Sequence, residues 1–315
     1  MIIAVELGLL YGIMALGVYL TYRVLDFPDL TVDGSFTTGA AVSAVMIANG
    51  QSPALSVLCG VLAGAAGGVI TGLLHTVGRI NPLLAGILTQ IALYSINLRI
   101  MGRANVPLLG QTTLMTPLRD RGLLNTWAAV AVFGGLVALV VVAIDWFLAT
   151  DMGVAMRATG DNEAMARSQG VSTERVKVFG LALSNGLVGG CGALMAQFSG
   201  FSDISMGIGM IVAGLASVIV GQAIIGSRTV WISTIAVVVG SVIYRGVIQI
   251  ALNVGLNPND MKLISAVLVV IALTLPRTSP MRRLRALRAA RAAVPEVLIE
   301  APEPSAADVA AGGDR

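Results

Sequence analysis

The chain has 315 residues, of which 56% are hydrophobic and only 12% charged, with a mean hydropathy of +0.86 and a formal net charge of +3. A soluble domain of this size is about half apolar and about a quarter charged, so composition excludes an ordinary soluble enzyme and places the chain in a lipid bilayer. Cys59 and Cys191 both lie in apolar runs, which excludes a disulfide framework and reads as small buried thiols.

The first element, "MIIAVELGLLYGIMALGVYL", has no basic leader and no small-residue cleavage site, so it reads as a retained helix rather than a signal peptide. Apolar runs then predict spanning helices over about 2–22, 35–49, 54–77, 82–102, 126–149, 178–198, 208–225, 229–252 and 261–275. The second and last are short and are expected to be broken, tilted or re-entrant. The fold class is therefore all-α and polytopic, with about 8–10 transmembrane helices, each run near the roughly 20 residues a span needs.

Charge placement orients these helices. Placing the Arg-rich tail in the cytoplasm puts Arg23, Arg79, Arg157, Arg167, Arg175, Lys177 and Arg228 on the same side, thirteen Lys/Arg in all with the tail up to Arg291. Only Arg103, Arg119 and Arg121 fall in the outer connections. The positive-inside rule favours this arrangement, with a multi-pass membrane protein and a cytoplasmic C-terminus. In the fifth span Trp127 and Trp146 lie roughly 28 Å apart along a helix, as two interfacial belts require. The sequence divides into a membrane domain, 1–276, and a tail, 277–315, that begins basic and ends in a Pro-, Ala- and Glu-rich, disorder-type composition. No aromatic residue interleaves the tail arginines, which speaks against nucleic acid as a partner.

Within the apolar runs, "GVLAGAAGGVITG" places Gly60, Gly64, Gly68 and Gly72 at four-residue steps, a small-residue packing face. Neither lysine, Lys177 or Lys262, follows a phosphate-binding glycine pattern, so the chain carries no nucleotide-hydrolysing loop. His75, the single histidine, has no ligand partner in sequence, and no nucleophile motif is present. No cofactor or metal is expected on this chain, and it is not expected to be an enzyme.

Polar groups inside spans are costly and mark function or interhelical bonding. Asp29 and Asp33 lie at the mouth of the second span. "FPDLTVDGSFTTGAAVSAV" from Phe27 resembles "FSDISMGIGMIVAGLASVI" from Phe201, which makes Asp203 the counterpart of Asp29 and suggests an inverted repeat. Asp29, Asp33, Asn97, Asp203, Gln222 and Arg245 are the candidate solute-pathway residues. Glu6, Asp145 and Arg99 lie near helix ends, where snorkelling accounts for them. Asp29, Asp33 and Asp203 also admit an alternative, an ion-coupled secondary transporter. The outer connection "GRANVPLLGQTTLMTPLRDRGLLNTW" reads either as a docking loop for an external partner or as an ordinary solvated loop.

The most charged internal stretch, "RATGDNEAMARSQGVSTERVK", separates two apolar runs. Asp161 and Asn162 form an N-cap signal for a short helix from Glu163 to Gln169, and Gly170 stops it. This short, polar, capped helix suits docking to another protein. "GDNEAMARSQGVSTERVK" resembles the cytoplasmic coupling loop of permease subunits of ATP-binding-cassette importers. The likeness is to the branched-chain amino acid and ribose permease superfamily, whose loops read much like G-x-N-E-A-A-x-x-x-x-G-I/V. Met165 stands where the second alanine is usual, and the glycine lies one residue late for the broader EAA loop. "DFPDLTVDGSFTTGA" and "LALSNGLVGGCGALMAQFSGFSDISMGIGMIVAGLASVIVG" are similar to the tryptophan/tyrosine-type permeases, and the resemblance runs over roughly residues 5–275.

The resemblance implies a subunit that forms a solute pathway without hydrolysing ATP. A coupling loop within 151–177, through Asp161, Asn162, Glu163, Ala164, Arg167 and Gly170, would meet a cytoplasmic ATPase subunit that uses the ATP. An extracytoplasmic solute-binding protein would deliver the solute, and a permease homodimer in the lipid bilayer would form the channel. The solute it implies is a small organic molecule, an amino acid and an aromatic one first.

Overall fold

The computed structural model describes residues 2–254 continuously and, beyond them, Leu263, Ala266, Val267 and Val270. The expected ninth span at 261–275 and the basic tail therefore lie outside the continuously described chain. The elements in order are α1 (Ile2–Tyr19), a π-helical turn (Leu20–Val24), α2 (Thr31–Ala48), α3 (Pro53–Thr76), α4 (Pro82–Met101), β1 (Asn105–Pro107), α5 (Thr116–Asp120), α6 (Trp127–Ala149), α7 (Asp151–Asp161), α8 (Glu163–Ser168), α9 (Thr173–Ser199), β2 (Phe201–Asp203), α10 (Met210–Ile225) and α11 (Val230–Asn253). Each of the first eight expected spans coincides with a helix, and six are long and apolar enough to cross a membrane. The protein is an all-α multi-pass membrane protein.

Local chemistry explains the helix starts. α3 and α4 begin with an N-cap side chain followed by proline at the first helical position: Ser52 accepts from Leu55 N at 3.4 Å and Asn81 from Leu83 N at 3.0 Å. Proline has no N–H to leave unsatisfied there, and its fixed φ suits the first turn. Asp29 accepts from Thr31 N at 2.9 Å, so α2 starts at Thr31 and runs unbroken through Thr31–Ala48. Of the broken, tilted or re-entrant forms expected for this span, the continuous helix excludes the broken one. Among the helices that match expected spans, the shortest is α10, at 16 residues.

α9 is the central post, with every residue from Val188 to Gln197 buried. The glycine face expected on α3 packs against it. A Cβ at Gly60 would meet Ala193, at Gly64 Asn185 and Gly189, at Gly68 Leu181, and at Gly72 Val178. The numbers rise along one helix as they fall along the other, so α3 and α9 are antiparallel. At the same level of α9, a Cβ at Gly39 of α2 would fall on the Gly189 carbonyl. No side chain larger than hydrogen fits either crossing, which lets three backbones approach closely without a hydrophobic driving force between them. α1 packs antiparallel to α9, where Ser184 Oγ donates to Gly17 O (2.7 Å) and Cys191 Sγ to Leu10 O (3.2 Å). Cys191 is thus a buried structural thiol.

α6 lies at the periphery, with Trp127 and Trp146 both about 70% exposed near its two ends, as the belt reading requires. The helices alternate in direction, so the turns at 25–30, 77–81, 150–172 and 226–229 share one end of the bundle, called here the elbow end. The turns at 49–52, 102–126 and 200–209 share the far end. At the far end β1 pairs antiparallel with β2, Val106 opposite Ser202. From β2 the chain dips inward, and by Gly207 its backbone lies against Asp33 and Thr37 of α2, where α10 then starts.

Snorkelling does not describe Glu6 or Asp145. Glu6 is fully buried and its Oε1 accepts from Asn125 N at 2.9 Å, tying α1 to the far-end connection. Asp145 is 3% exposed and accepts from the Thr234 hydroxyl at 3.0 and 3.1 Å, joining α6 to α11. A bonded carboxylate is a cheaper burial than an orphaned one, so these acids act as interhelical ties. Arg99 is exposed, as expected.

Candidate functional site

Two places concentrate polar side chains that the packing alone does not require. The first is the elbow between α6 and α9. Thr150 Oγ1 accepts from Gly153 N and starts α7, an amphipathic helix absent from the sequence expectation. Asn162, with φ −158° and ψ 98°, breaks the helical path after Asp161. Its Oδ1 then accepts from Met165 N at 3.0 Å and caps α8. The expected cap is therefore Asn162, while Asp161 closes α7. α8 ends at Ser168, one residue before the expected Gln169.

The stop at Gly170 has a Schellman geometry: Gly170 N donates to Arg167 O (3.0 Å) and Val171 N to Ala166 O (3.1 Å). Gly170 has φ +85°, the left-handed region where glycine carries no Cβ penalty. Local hydrogen bonding thus defines both ends of a helix too short to be stable by propagation alone.

Glu163 anchors α8 to the bundle. Its Oε1 accepts from Arg167 Nη2 at 3.0 Å and from the Thr173 hydroxyl at 3.3 Å, and its Oε2 from Lys177 Nζ at 2.7 Å. The Lys177 ammonium hydrogen-bonded to it holds the Glu163 carboxyl below its ordinary range. Lys177 also lies 3.4 Å from His75 Nε2, while His75 Nδ1 is 2.9 Å from Ile80 O. An ammonium has donors only, so Nε2 accepts and Nδ1 carries the proton donated to Ile80. One polar chain therefore joins α8, α9 and the end of α3. Met165 stays 62% exposed on α8, and Ala164, Arg167 and Ser168 are exposed beside it. On the other side of the elbow, Gly160 of α7 sits directly against the Val24 carbonyl, below the π-helical turn of α1.

The second place is a chamber of about 390 Å³ between α2, α4 and the inward-dipping strand exit, lined by Asp33, Thr37, Gln90, Tyr94, Asn97 and Ile208 among others. Asn97 is 1% exposed, and neither Oδ1 nor Nδ2 has a partner among the described residues. A buried amide with neither end bonded is costly unless something else meets it. Asp33 Oδ2 accepts from Gly209 N and Oδ1 from Ile211 N, both at 2.8 Å, so a residue of α2 caps the start of α10.

The structure brings Asp33 and Asn97 into this chamber and leaves the other expected pathway residues elsewhere. Asp29 is closed off, with Oδ2 accepting from Asn185 Nδ2 at 2.6 Å. Asp203 sits in the far-end ribbon, where the Ser205 hydroxyl and then its N–H hold its carboxyl below the ordinary range. Asp29 and Asp203 do share one geometry, each accepting from the N–H two residues on, but α10 starts later after its aspartate than α2 does. Gln222 is in the last turns of α10, with no partner for Nε2 among the described residues. Arg245 stacks on α1, its Cζ 3.6 Å from the Tyr11 ring centroid.

Sequence reading missed Gln197, which is fully buried and crosslinks four segments. Its Nε2 donates to Pro53 O, Ser43 Oγ and Ser56 Oγ (3.1–3.3 Å), and its Oε1 accepts from Leu114 N at 2.9 Å. Its signal was available: an amide at the end of an apolar run. Tyr94 and Lys177 carried no comparable mark. Among the described residues no group of His, Cys, Asp and Glu is arranged to hold a metal.

Comparison with known proteins adds the following. The family described as "Branched-chain amino acid transport system / permease component" matches residues 2–274. A tyrosine transport system permease protein of Clostridioides difficile is 41% identical over 263 residues, covering 84% of this chain and 86% of that protein. An uncharacterized protein of Rickettsia prowazekii is 35% identical over 278 residues, 87% of this chain and 96% of its own. An autoinducer 2 import system permease protein of Yersinia pseudotuberculosis is 29% identical over 198 residues, 61% of this chain and 54% of that one. No solved structure matches.

Proposed function

From the premise that the chain belongs to the branched-chain amino acid transport system permease family, we propose that it forms the import pathway for an amino acid, with an aromatic amino acid the first candidate. It is the permease component of an ATP-binding-cassette transport system and not an enzyme. The tyrosine system of the Clostridioides relative supports the aromatic assignment. So does the chamber, where the Tyr94 ring and the unbonded Asn97 amide offer a stacking face and a paired donor and acceptor.

The elbow carries the reading. A permease of this family works with an ATPase and a binding protein, and α8 is built as a docking knob for the former. It is short, closed at both ends by its own hydrogen bonds, and tied behind by Glu163, with Met165 and Ala164 left exposed. Force applied at α8 has two stiff outlets. Through Glu163, Lys177 and His75 it reaches α9 and α3. Through α7 and the Gly160–Val24 contact it reaches the π-helical turn of α1, an element often found at functional sites. ATP bound and hydrolysed on the partner subunit would thus tilt the helices around the central post α9 and alternate the access of the chamber.

The elbow end is then cytoplasmic, in a bacterial plasma membrane, and the far end meets the solute-binding protein through the exposed Arg119, Asp120 and Arg121. A homodimer of this chain completes the channel. The ion-coupled alternative is disfavoured, because Asp29, Asp33 and Asp203 already accept internal hydrogen bonds from the protein.

The test is co-purification with the ATPase encoded for this system, followed by uptake of labelled tyrosine in vesicles. Met165→Asp is expected to abolish ATPase capture while the chain keeps its gel-filtration profile. Capture that persists, or uptake that proceeds without ATP, overturns the reading.

A further inference from the structure

At the elbow end three arginines from three separate segments meet around one open cleft of about 590 Å³. Arg23 comes from the π-helical turn, Arg157 from α7, and Arg228 from the connection between α10 and α11. Among the described residues none of these guanidinium groups is in an ion pair, and Arg157 Nε is buried without a hydrogen-bond partner. Two carboxylates share the wall. Asp145 is already engaged by Thr234, and Asp161 lies exposed at the end of α7. Three guanidinium groups against two carboxylates leave the cleft cationic, and burying an unmatched Arg157 Nε is costly unless an acceptor arrives.

The lining also fixes the depth. Trp231, in the first turn of α11 and about half exposed, borders the same cleft, and an indole so placed marks the level of lipid headgroups. The planar guanidinium fork matches a phosphate's oxygens two at a time, which an ammonium does not. Basic pockets between helices at a membrane surface hold anionic headgroups by this chemistry.

We propose that this cleft is a binding site for a phosphate anion, supplied by the headgroup of an anionic phospholipid in the leaflet at the elbow end. A bound phosphate bridges the π-helical turn, α7 and the α10–α11 connection. It thereby braces the segments through which the elbow meets α1. The proposal needs neither the ATPase nor the solute, so it stands or falls separately from the transport reading.

The experiment uses the full-length protein purified in neutral detergent and exchanged against phosphatidylglycerol or phosphatidylcholine, with retained lipid counted by native mass spectrometry. Phosphatidylglycerol is expected to be retained preferentially, by about fivefold for each arginine that contributes. The preference is expected to vanish in the triple variant Arg23→Gln/Arg157→Gln/Arg228→Gln. Arg228→Gln alone, on an exposed connection, is expected to give a partial loss, and it decides the matter where the triple variant fails to fold. A parallel arm titrates inorganic phosphate onto delipidated protein and follows its melting temperature. Arginine-dependent stabilisation by inorganic phosphate, without a lipid preference, assigns the site to soluble phosphate and overturns the lipid source. Equal retention of both lipids, unchanged by the substitutions and with no response to phosphate, overturns the site itself.

Discussion

Glu163 Oε2 and Lys177 Nζ lie 2.7 Å apart across the elbow, and this contact joins the short surface helix α8 to the long central helix α9. Lys177 is the better buried partner, with 14% of its side chain exposed against 40% for Glu163. The pair therefore fixes a small helix onto a firm base.

Breaking it is expected to loosen the elbow without unfolding the bundle. Glu163→Gln keeps the shape but loses the charge. An ion pair with one partner this exposed is worth about 1 kcal/mol or less, so melting temperature should hardly move. Hydrogen exchange at Gly170 and Val171 should nevertheless rise several-fold, with ATPase capture falling in parallel. An unchanged exchange rate would show that the cap and stop alone hold α8.

The same contact sets a pH dependence. Glu163 titrates lower in the folded elbow than its ordinary value of 4.5, chiefly through Lys177. Its contribution is then complete above the unfolded value and fades as pH falls from about 4.5 through the folded pKa. Protection of the elbow amides, taken relative to their intrinsic exchange rate at each pH, should fall over that interval in the wild type, and the fall should be absent in Glu163→Gln.

Gly170→Ala tests the stop. No atom lies within 4 Å of a Cβ there, so the cost is purely that of φ +85°, about 1–2 kcal/mol. Because the strain is local, the expected loss is in transport and ATPase capture rather than in yield. Gly170→Asn, which tolerates this conformation better, should recover part of both.

The crossing of α2 and α9 gives the opposite pattern. Gly39→Ala forces a methyl onto the Gly189 carbonyl, and overpacking of this kind costs about 1–3 kcal/mol or more where the neighbour is backbone. Lower yield and a lower melting temperature are expected. Gly134→Ala in α6, where a Cβ meets nothing within 4 Å, is the matched control and should be neutral.

Asn97→Leu probes the chamber. Removing an amide whose two polar atoms are unbonded should stabilise the empty protein or leave it unchanged. A solute that uses that amide should at the same time lose affinity, read as a several-fold rise in KM for uptake with wild-type ATPase capture.

Much of this was legible along the chain. The glycine steps at 60, 64, 68 and 72, the tryptophans of α6, and the Asn162 cap with its Gly170 stop all depend on residues within a few positions of one another. Their geometry follows from helical periodicity and local hydrogen bonding. α7 was not legible, because its polar, mid-length pattern is equally that of a surface loop. The supposed snorkelling of Glu6 and Asp145 failed because their partners, Asn125 and Thr234, lie 119 and 89 residues away.

By itself, the sequence determined that this is a helical membrane protein, where eight of its long apolar helices begin and end to within about five residues, and that a capped polar helix interrupts them. Those properties rest on hydropathy and on bonds between near neighbours. Only the tertiary structure decided which polar residues meet: Asp29 with Asn185, Asp33 with the start of α10, Lys177 with His75, and Arg23, Arg157 and Arg228 around one cleft. The physical reason is packing. The glycine crossings on α9 let backbones approach closely, and that approach sets the helix register and therefore which distant side chains face each other.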